Sequence, residues 1–517
     1  MLKKLRVALA IIFWLCITIL FLDLTGVTRA WFGWMARVQF LPAVLAANVA
    51  VVVLWVVVTM LVGRIYCSVI CPLGIMQDGM IHVADWVHRL RTKKKIGRYH
   101  FWAPRWTHWM RLVVLAVVIV CIVVDGGFVV QLLAPYSSYG RIATGLFRPV
   151  VLWVNDMLAN AAAERESYAF WHVTWSATDL SLVVTAAVSL VVLAITSTVG
   201  GRFYCNNLCP VGTALGLLSR RALVRIHIDG DKCVKCGLCE RKCKSSAIDS
   251  KNGHIDNTRC VDCFNCLGAC HKDAISFGLA KASAVKNDNV ETAAPSAKNE
   301  NIDTSRRTFL ATAVTLAAAS QLKAVDKVTD GGLAVIEDKK RYERQTPICP
   351  PGALSLKNLQ QHCTGCQLCV SACPNGVLHP SSSLQNFLQP TVSYEVNHCR
   401  PECHACSDVC PAGAILPLGK THEEKMARKS SLKVGRAVWI QDNCLPVANG
   451  VKCGNCAVHC PTGAITMVPT VADDPRSPKV PSVDDERCIG CGACEHLCPV
   501  RPFSAIHVEG IEVQREI

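Results

Sequence analysis

Twenty-four of the 31 cysteines in this 517-residue chain fall into six quartets. Four are strict C-x2-C-x2-C-x3-C: Cys233/Cys236/Cys239/Cys243, Cys260/Cys263/Cys266/Cys270, Cys363/Cys366/Cys369/Cys373 and Cys488/Cys491/Cys494/Cys498. Two have a longer first gap: Cys399/Cys403/Cys406/Cys410 and Cys444/Cys453/Cys456/Cys460. Three thiolates on a tight loop grip one face of a cubane, and the fourth reaches a neighbouring cluster. Six [4Fe–4S] clusters and one-electron chemistry are expected. A zinc site would show two separated C-x2-C knuckles rather than four cysteines within eleven residues. A disulfide framework suits a small secreted chain. Pro374, Pro411, Pro461 and Pro499 follow the last cysteine of the four C-terminal quartets, whereas Lys244 and His271 stand there in the first two. Proline is no ligand, so this departure touches cluster potential rather than occupancy.

The elements that must carry these quartets include a membrane region. Apolar residues make up 51% of the chain and mean hydropathy is +0.30, with the excess at the front. Val7–Leu24, Phe40–Val62, Trp109–Val130 and Leu180–Val199 are apolar runs long enough to cross a hydrocarbon core of about 30 Å. The first is followed by three more, which argues against a cleaved signal peptide. Nine Lys and Arg lie between Arg64 and Arg111, against Asp78 and Asp85. The loop between the third and fourth runs carries Arg141, Arg148 and Arg165 against Asp156, Glu164, Glu166 and Asp179. This asymmetry predicts a cytoplasmic N-terminus and a cytoplasmic basic loop. It accounts for most of the net charge of +15 without nucleic acid, for which no motif is visible.

The second and fourth runs end in near copies, Gly63-Arg64-Ile65-Tyr66-Cys67-Ser68-Val69-Ile70-Cys71-Pro72-Leu73-Gly74 and Gly201-Arg202-Phe203-Tyr204-Cys205-Asn206-Asn207-Leu208-Cys209-Pro210-Val211-Gly212. This is an internal repeat of a two-helix unit. Cysteines at i and i+4 share a helix face. Two such pairs about a pseudo-twofold could give four sulfurs to one metal centre, a seventh iron–sulfur site at Cys67, Cys71, Cys205 and Cys209. Reducing-compartment thiols or a redox dithiol are the alternatives. Cys16 and Cys121 read as packing residues, and Cys349 has no partner in the pattern.

On these motifs residues 1–280 resemble the membrane-bound quinol dehydrogenase ferredoxin-type subunit of periplasmic nitrate reductase systems. That family implies four spans, two Y-C-x3-C-P motifs and a cytoplasmic two-cluster tail. Residues 305–517 resemble its periplasmic partner, which has four clusters and a twin-arginine signal; Pro350-Pro351-Gly352-Ala353 adds to the likeness. Related halves serve other periplasmic reductases and dehydrogenases. The resemblance implies nested pairing in the last domain: Cys363, Cys366, Cys369 with Cys498; Cys488, Cys491, Cys494 with Cys373; Cys399, Cys403, Cys406 with Cys460; and Cys444, Cys453, Cys456 with Cys410. Sequential pairing is the alternative. In the first ferredoxin domain the spacing predicts Cys233, Cys236, Cys239 with Cys270, and Cys260, Cys263, Cys266 with Cys243. His362, His404, His459 and His496 are expected beside the clusters but not on them, because each quartet is complete.

The expected organisation is an α-helical membrane domain over residues 1–225, with four spans in a two-fold pseudo-repeat, and an α+β two-cluster ferredoxin domain over 226–280. A flexible linker without core-forming residues occupies 281–304. A twin-arginine string, Ser305-Arg306-Arg307-Thr308-Phe309-Leu310, opens a short apolar helix over 305–323 that is a candidate fifth span. A four-cluster ferredoxin domain fills 346–517. This predicts a bacterial inner-membrane protein with its two-cluster domain cytoplasmic and its four-cluster domain periplasmic, and leaves a bilayer of about 30 Å for the electron to cross.

No Walker A, dinucleotide fingerprint or haem C-x-x-C-H string is present. Terminal catalysis is therefore expected on a partner oxidoreductase, and the chemistry open to this chain is quinol oxidation or quinone reduction. Quinone-site candidates are Asp23, Gln39, Asp125 and His172 near one set of span ends, with His82 and His108 at the other. The expected function is electron exchange between the quinone pool and that partner. A metal reductase, maturation or regulatory factor for a respiratory metalloenzyme, and an all-cytoplasmic ferredoxin-to-quinone wire, are the alternatives.

Overall fold

The computed structural model describes residues 1–92, 105–124, 126–167, 170–171, 173, 179–279, 338–471, 474 and 477–517. The linker 281–304, the twin-arginine segment 305–323, Asp125 and His172 lie outside the described residues.

The N-terminal part is helical: α1 Leu2–Leu22, α2 Val27–Arg37, α3 Phe40–Leu45, α4 Val49–Val62, α5 Tyr66–Val69, α6 Pro72–Thr92, α7 Arg105–Val123, α8 Gly127–Leu133, α9 Pro135–Ile142, α10 Arg148–Ala163, α11 Leu180–Gly200 and α12 Pro210–Ser219. Four helical stretches are long and apolar enough to cross a membrane: Leu2–Leu22, Trp106–Val123, Pro135–Ala163 and Leu180–Gly200. Their outward faces carry exposed Leu9, Ile12, Val117, Val120, Val188 and Ile195, while Ile17, Phe21, Leu182 and Leu193 point inward. Water would penalise such a surface and lipid does not.

Two expectations about spans need correction. The apolar run Phe40–Val62 is not one helix. It is broken after α3, where Ala47 takes a left-handed backbone with φ of 50°, and α4 has 14 residues, about 21 Å. The stretch Pro135–Ala163, read as part of a loop, is helical throughout, with α9 and α10 joined by a π-turn at Ala143–Phe147. Its polar side chains hid it from a hydropathy reading, and many of them, such as Ser137, Ser138 and Arg141, are buried against other elements.

The first cluster domain follows with β1 Val224–Ile228, α13 Leu238–Lys242, β2 Ile248–Asp249, β3 His254–Ile255 and β4 Ile275–Leu279. β1 and β4 pair antiparallel with Ile226 opposite Phe277. They enclose a small core of Ile226, Ile248, Ile255, Phe264 and Ile275. Residues 338–517 hold three further antiparallel pairs: β5 Leu378–Pro380 with β6 Pro390–Val392, β7 Leu432–Trp439 with β10 Ile506–Glu516, and β8 Ile465–Pro469 with β9 Lys479–Val483. The core of this domain is continuous with that of the helices, through Phe21, Tyr136, Ile142, Leu359 and Leu368.

The two cluster domains dock at opposite ends of the same helices. At one end the Arg202 N–H donates to the Lys244 carbonyl at 2.9 Å, and the Leu223 N–H to Met60 at 2.9 Å. There Arg64 and Arg111 reach Thr258 at 3.0 and 2.9 Å. At the other end Arg29 donates to the Ala372 carbonyl at 2.9 Å, Arg37 to that of Asp408 at 2.7 Å, and Asp179 meets His379 at 3.2 Å. Helix α11 has Asp179 before its first residue and Arg202 beyond its last, so it runs from one cluster domain to the other.

Candidate iron–sulfur site

Six of the cysteine sets reside in the two ferredoxin regions. Each quartet places its third thiol in or at the start of a short helix and its fourth after it, as with Cys239 in Leu238–Lys242 before Cys243 or Cys369 in Leu368–Ala372 before Cys373. Left-handed residues bend these loops; Gly237 and Gly492 both precede a cluster helix with positive φ. Backbone N–H groups turn onto the sulfurs: Ala247 onto Cys243, Ala274 onto Cys270 and Ala505 onto Cys498, each at 3.3 Å. Such bonds favour the more negative, reduced cluster.

The structure tests whether these thiols fit a cluster. One cavity is lined by Cys444, Cys453, Cys456 and Cys498. Another is lined by Cys460, Cys488, Cys491 and Cys494. Both are four-thiol cradles. Among the described residues no three or more Cys, His, Asp or Glu side chains close to the spacing of a single metal ion. Burial pushes the Cys243, Cys366 and Cys491 thiols up to about 11, and metal coordination reverses this by holding the thiolate.

The cradles correct the expected pairing. Cys498 joins Cys444, Cys453 and Cys456, and Cys460 joins Cys488, Cys491 and Cys494. Likewise Cys410 neighbours Cys363, Cys366 and Cys369, and Cys373 neighbours Cys399 and Cys406. This proximity is that of sequential pairing, first quartet with second and third with fourth, rather than of nested pairing, and it follows from the packing of adjacent cluster helices on each other. In the first domain Cys243 stands with Cys260, Cys263 and Cys266, as the spacing predicts. Lys429 is buried and points Nζ at Cys399 Sγ, 3.4 Å away. Among the histidines beside the quartets, His404 bonds Asp408 at 2.6 Å, and His362 and His459 bond backbone carbonyls of their own helices.

The four membrane-region cysteines converge. Cys67, Cys71, Cys205 and Cys209 are each at most 4% exposed and lie within electrostatic reach of one another. Their geometry differs from an i, i+4 helix face. In both strings the N–H of the second cysteine bonds the tyrosine carbonyl five residues back, Cys71 to Tyr66 at 3.0 Å and Cys209 to Tyr204 at 2.9 Å. That is a π-type turn, a feature concentrated at functional sites. The second cysteine then caps the next helix, with Pro72 or Pro210 at its first position. Proline suits that place because its missing N–H has no helical partner. The thiol of Cys209 accepts from the Gly212 N–H at 3.3 Å, at the positive end of a helix.

Two arginines lock the strings together crosswise. Arg64 of the first donates to the carbonyl of Cys205 at 3.2 Å and to Asn206 at 2.9 Å. Arg202 of the second donates to the carbonyl of Cys67 at 2.6 Å. Gly74 and Gly212 leave room for this: a Cβ on either would press on the carbonyl of Cys67 or of Cys205, and on the opposing guanidinium at 3.3 and 2.9 Å. Asp78 of α6 is held by Arg202 Nε at 2.9 Å, Arg6 at 2.9 Å and Lys244 at 3.4 Å. Burial alone would raise its pKa; Arg202, Lys244 and Arg6 instead hold it well below the usual carboxylate range. Tyr66 and Tyr204 point away from this end. The Tyr66 hydroxyl donates to Gln39 at 2.9 Å and that of Tyr204 to the Leu133 carbonyl at 3.0 Å. Tyr136 neighbours Tyr66 on one hand and Cys366 and Cys410 on the other. Arg6 neighbours Cys263 of the first cluster domain. The four-thiol group thus sits between the two sets of cradles. Sequence spacing did not point to the arginine and tyrosine shell.

The other sequence candidates scatter. Gln39 is a buried brace for Tyr66. His108 bonds Arg111 at 3.0 Å, and His82 lies on the outer surface of α6. Asp23 lines a sizeable cavity. Cys349 is buried near Cys363.

Comparison with known proteins agrees with this geometry. Residues 44–96 and 182–228, the stretches holding the two membrane strings, match a family model described as a 4Fe-4S binding domain. Residues 362–414 and 451–501 match a 4Fe-4S dicluster domain, and residues 226–249 a further 4Fe-4S binding domain. The cradles and these matches define an iron–sulfur electron-transfer protein. The chain is 32% identical over 187 residues to the methylamine utilization ferredoxin-type protein MauM of Methylophilus methylotrophus, over 34% of this chain and 77% of that protein. It is 30% identical over 186 residues to the ferredoxin-type protein NapG of Escherichia coli (strain K12), over 33% of this chain and 76% of NapG. It is 30% identical over 158 residues to the ferredoxin-type protein NapF of the same strain, over 31% of this chain and 84% of NapF. The chain belongs to this family of ferredoxin-type proteins. No solved structure matches it.

Proposed function

We propose that this chain is a membrane-embedded iron–sulfur conduit that exchanges electrons between the quinone pool and a partner oxidoreductase. The observation that carries the reading is the placement of four buried cysteines between cluster domains docked at opposite ends of one helical bundle. In this reading Cys67, Cys71, Cys205 and Cys209 hold a seventh cluster, and six more fill the quartets. A central cluster divides the bilayer gap into shorter steps. The crossed Arg64 and Arg202 bonds support a two-fold pseudo-repeat, and the short paired strands with their cluster helices support the α+β ferredoxin arrangement. The chain is then a union of a membrane subunit and a four-cluster subunit.

Docking at opposite ends also favours a transmembrane arrangement over one with all clusters on one side. The Ser305–Leu310 string supports export of the folded, cluster-loaded four-cluster domain to the periplasm. In this reading terminal catalysis belongs to a partner. The test is reconstitution of the full chain in liposomes with a menaquinol or ubiquinol analogue, with cluster reduction followed by paramagnetic resonance. Reduction is expected. If no quinol reduces any cluster and no quinone reoxidises one, the reading fails.

A further inference from the structure

A cavity of about 430 Å³ lies where the bundle meets the four-cluster domain. This is within the usual range for a small-molecule site. Its walls include Leu152 and Leu182, from two helices able to cross a membrane. Cys373, a ligand of the cradle shared with Cys399, Cys403 and Cys406, also lines it. The lining is mixed, with Arg29, Arg148 and Asp179 standing beside Asp23, Thr144 and His379 among the apolar side chains. Asp23 is 95% buried, from its 5% exposure. Its Oδ1 accepts from Thr25 N at 2.9 Å and Gly26 N at 2.8 Å. Its Oδ2 has no well-formed hydrogen bond and faces Arg29 Nε at 3.4 Å. Thr144 Oγ1 is buried with no hydrogen-bond partner. His379 gives Nδ1 to Asp179 at 3.2 Å, which leaves Nε2 for another group; Arg341 lies beyond, 3.6 Å from Asp179.

From this cavity we infer a hydroquinone site, with Asp23 and His379 as its proton acceptors. The inference rests on the quinone reading above and gives that reading a location. The chemistry of the lining selects the ligand. It must be apolar enough to enter between spans, carry two polar ends, and deliver electrons beside Cys373. A hydroquinone has two hydroxyls across one ring and meets all three demands. Its oxidation breaks two O–H bonds and yields the quinone, two protons and two electrons. One proton goes to Asp23 Oδ2 and the other to His379 Nε2. The electrons leave one at a time for the [4Fe–4S] centre of Cys373, Cys399, Cys403 and Cys406, the nearest one-electron acceptor. Thr144 is a positioning residue whose hydroxyl gains a partner when the ring is bound.

The test uses the full chain in liposomes and a photoreactive azidoquinone. Labelling is expected within 23–29 and 370–380, with competition by unlabelled quinone. Asp23→Asn and His379→Ala should keep full reduction by dithionite yet slow reduction by menaquinol at least tenfold. Leu182→Phe, which fills the cavity without removing a polar group, should weaken labelling and slow menaquinol alike. If wild-type clusters accept quinol electrons but label falls elsewhere and these variants react at the wild-type rate, the site is wrong and the quinone link stands. If wild-type clusters accept none, the link falls and the site with it. A tightly held phospholipid seen by native mass spectrometry, lost in Arg148→Gln and not displaced by quinone, also overturns the inference.

Discussion

Replacing Asp78 with asparagine tests what holds the first cluster domain to the bundle. The carboxylate joins four pieces of chain: Arg6 of α1, α6 itself, Arg202 beyond α11 and Lys244 beside Cys243. Its side chain is 8% exposed. Asparagine keeps the shape and removes the charge, leaving three buried cations without their counter-ion. Removing one member of a buried ion pair costs about 3–5 kcal/mol. At 1.4 kcal/mol per tenfold, docking should open roughly a hundred- to a few-thousand-fold more often. Hydrogen exchange reads this directly, since the Arg202 amide is bonded to the Lys244 carbonyl across the junction. The expected result is that much faster exchange at Arg202 in Asp78→Asn. Asp249→Asn, which alters an exposed turn bonded to Asn252, should stay within about 0.5 kcal/mol of wild type. The pH dependence has a definite sign. The folded-state pKa of Asp78 is depressed, so its contribution is fully present above the unfolded value of about 3.9 and is lost only as pH falls through the lower folded value. Docking should therefore hold from neutrality to about pH 4. Exchange within threefold of wild type in Asp78→Asn would refute the reasoning.

Three further outcomes are expected. Cys67→Ser or Cys205→Ser should each lower iron by one cluster, about four of roughly 28 atoms for seven clusters, and unchanged iron and spectra would remove the central cluster from the scheme. Gly212→Ala should lose the same centre, because the added methyl presses on the Cys205 backbone and on Arg64 at an overpacking cost of about 1–3 kcal/mol, whereas Gly79→Ala, with nothing within 4 Å, should keep full iron. Lys429→Met should make the potential of the centre at Cys399 more negative in potentiometric titration, because a cation 3.4 Å from its sulfur favours the added electron; a positive shift contradicts the placement.

Legibility in the sequence followed the range of the interaction. The quartets could be read because a cluster's ligands are mostly local in sequence, and Cys243 with Cys260, Cys263 and Cys266 followed from spacing alone. The partner of Cys498 could not, since it depends on which cluster helices pack, and a likeness to relatives suggested a different answer from the one the cavities give. Hydropathy found α1, α7 and α11, whose outer faces are uniformly apolar. It failed at Phe40–Val62, where one left-handed residue at Ala47 breaks the run, and at Pro135–Ala163, where Arg141 and Arg148 pack against other elements rather than facing water. The repeated strings pointed to the four central cysteines, but not to the π-turns that set their spacing. Asp23 was readable as a polar residue at a span end; its cavity needed residues 370–380, which are remote in sequence.

The crossed arginines also bear on how the molecule is made. The guanidinium of Arg64 bonds a carbonyl that the ribosome does not reach until residue 205, and Arg202 reaches back to residue 67. A nascent chain that has only its first string offers iron two thiols and an arginine with nothing to hold. Cys243 and its partners, by contrast, are complete within 24 residues, from 243 to 266 by way of 260. Ferredoxin cradles can thus fill as each domain emerges, while the central one waits for α11 and α12. Maturation gains a fixed order from topology alone, and a chain truncated within the bundle would carry no centre able to pass an electron.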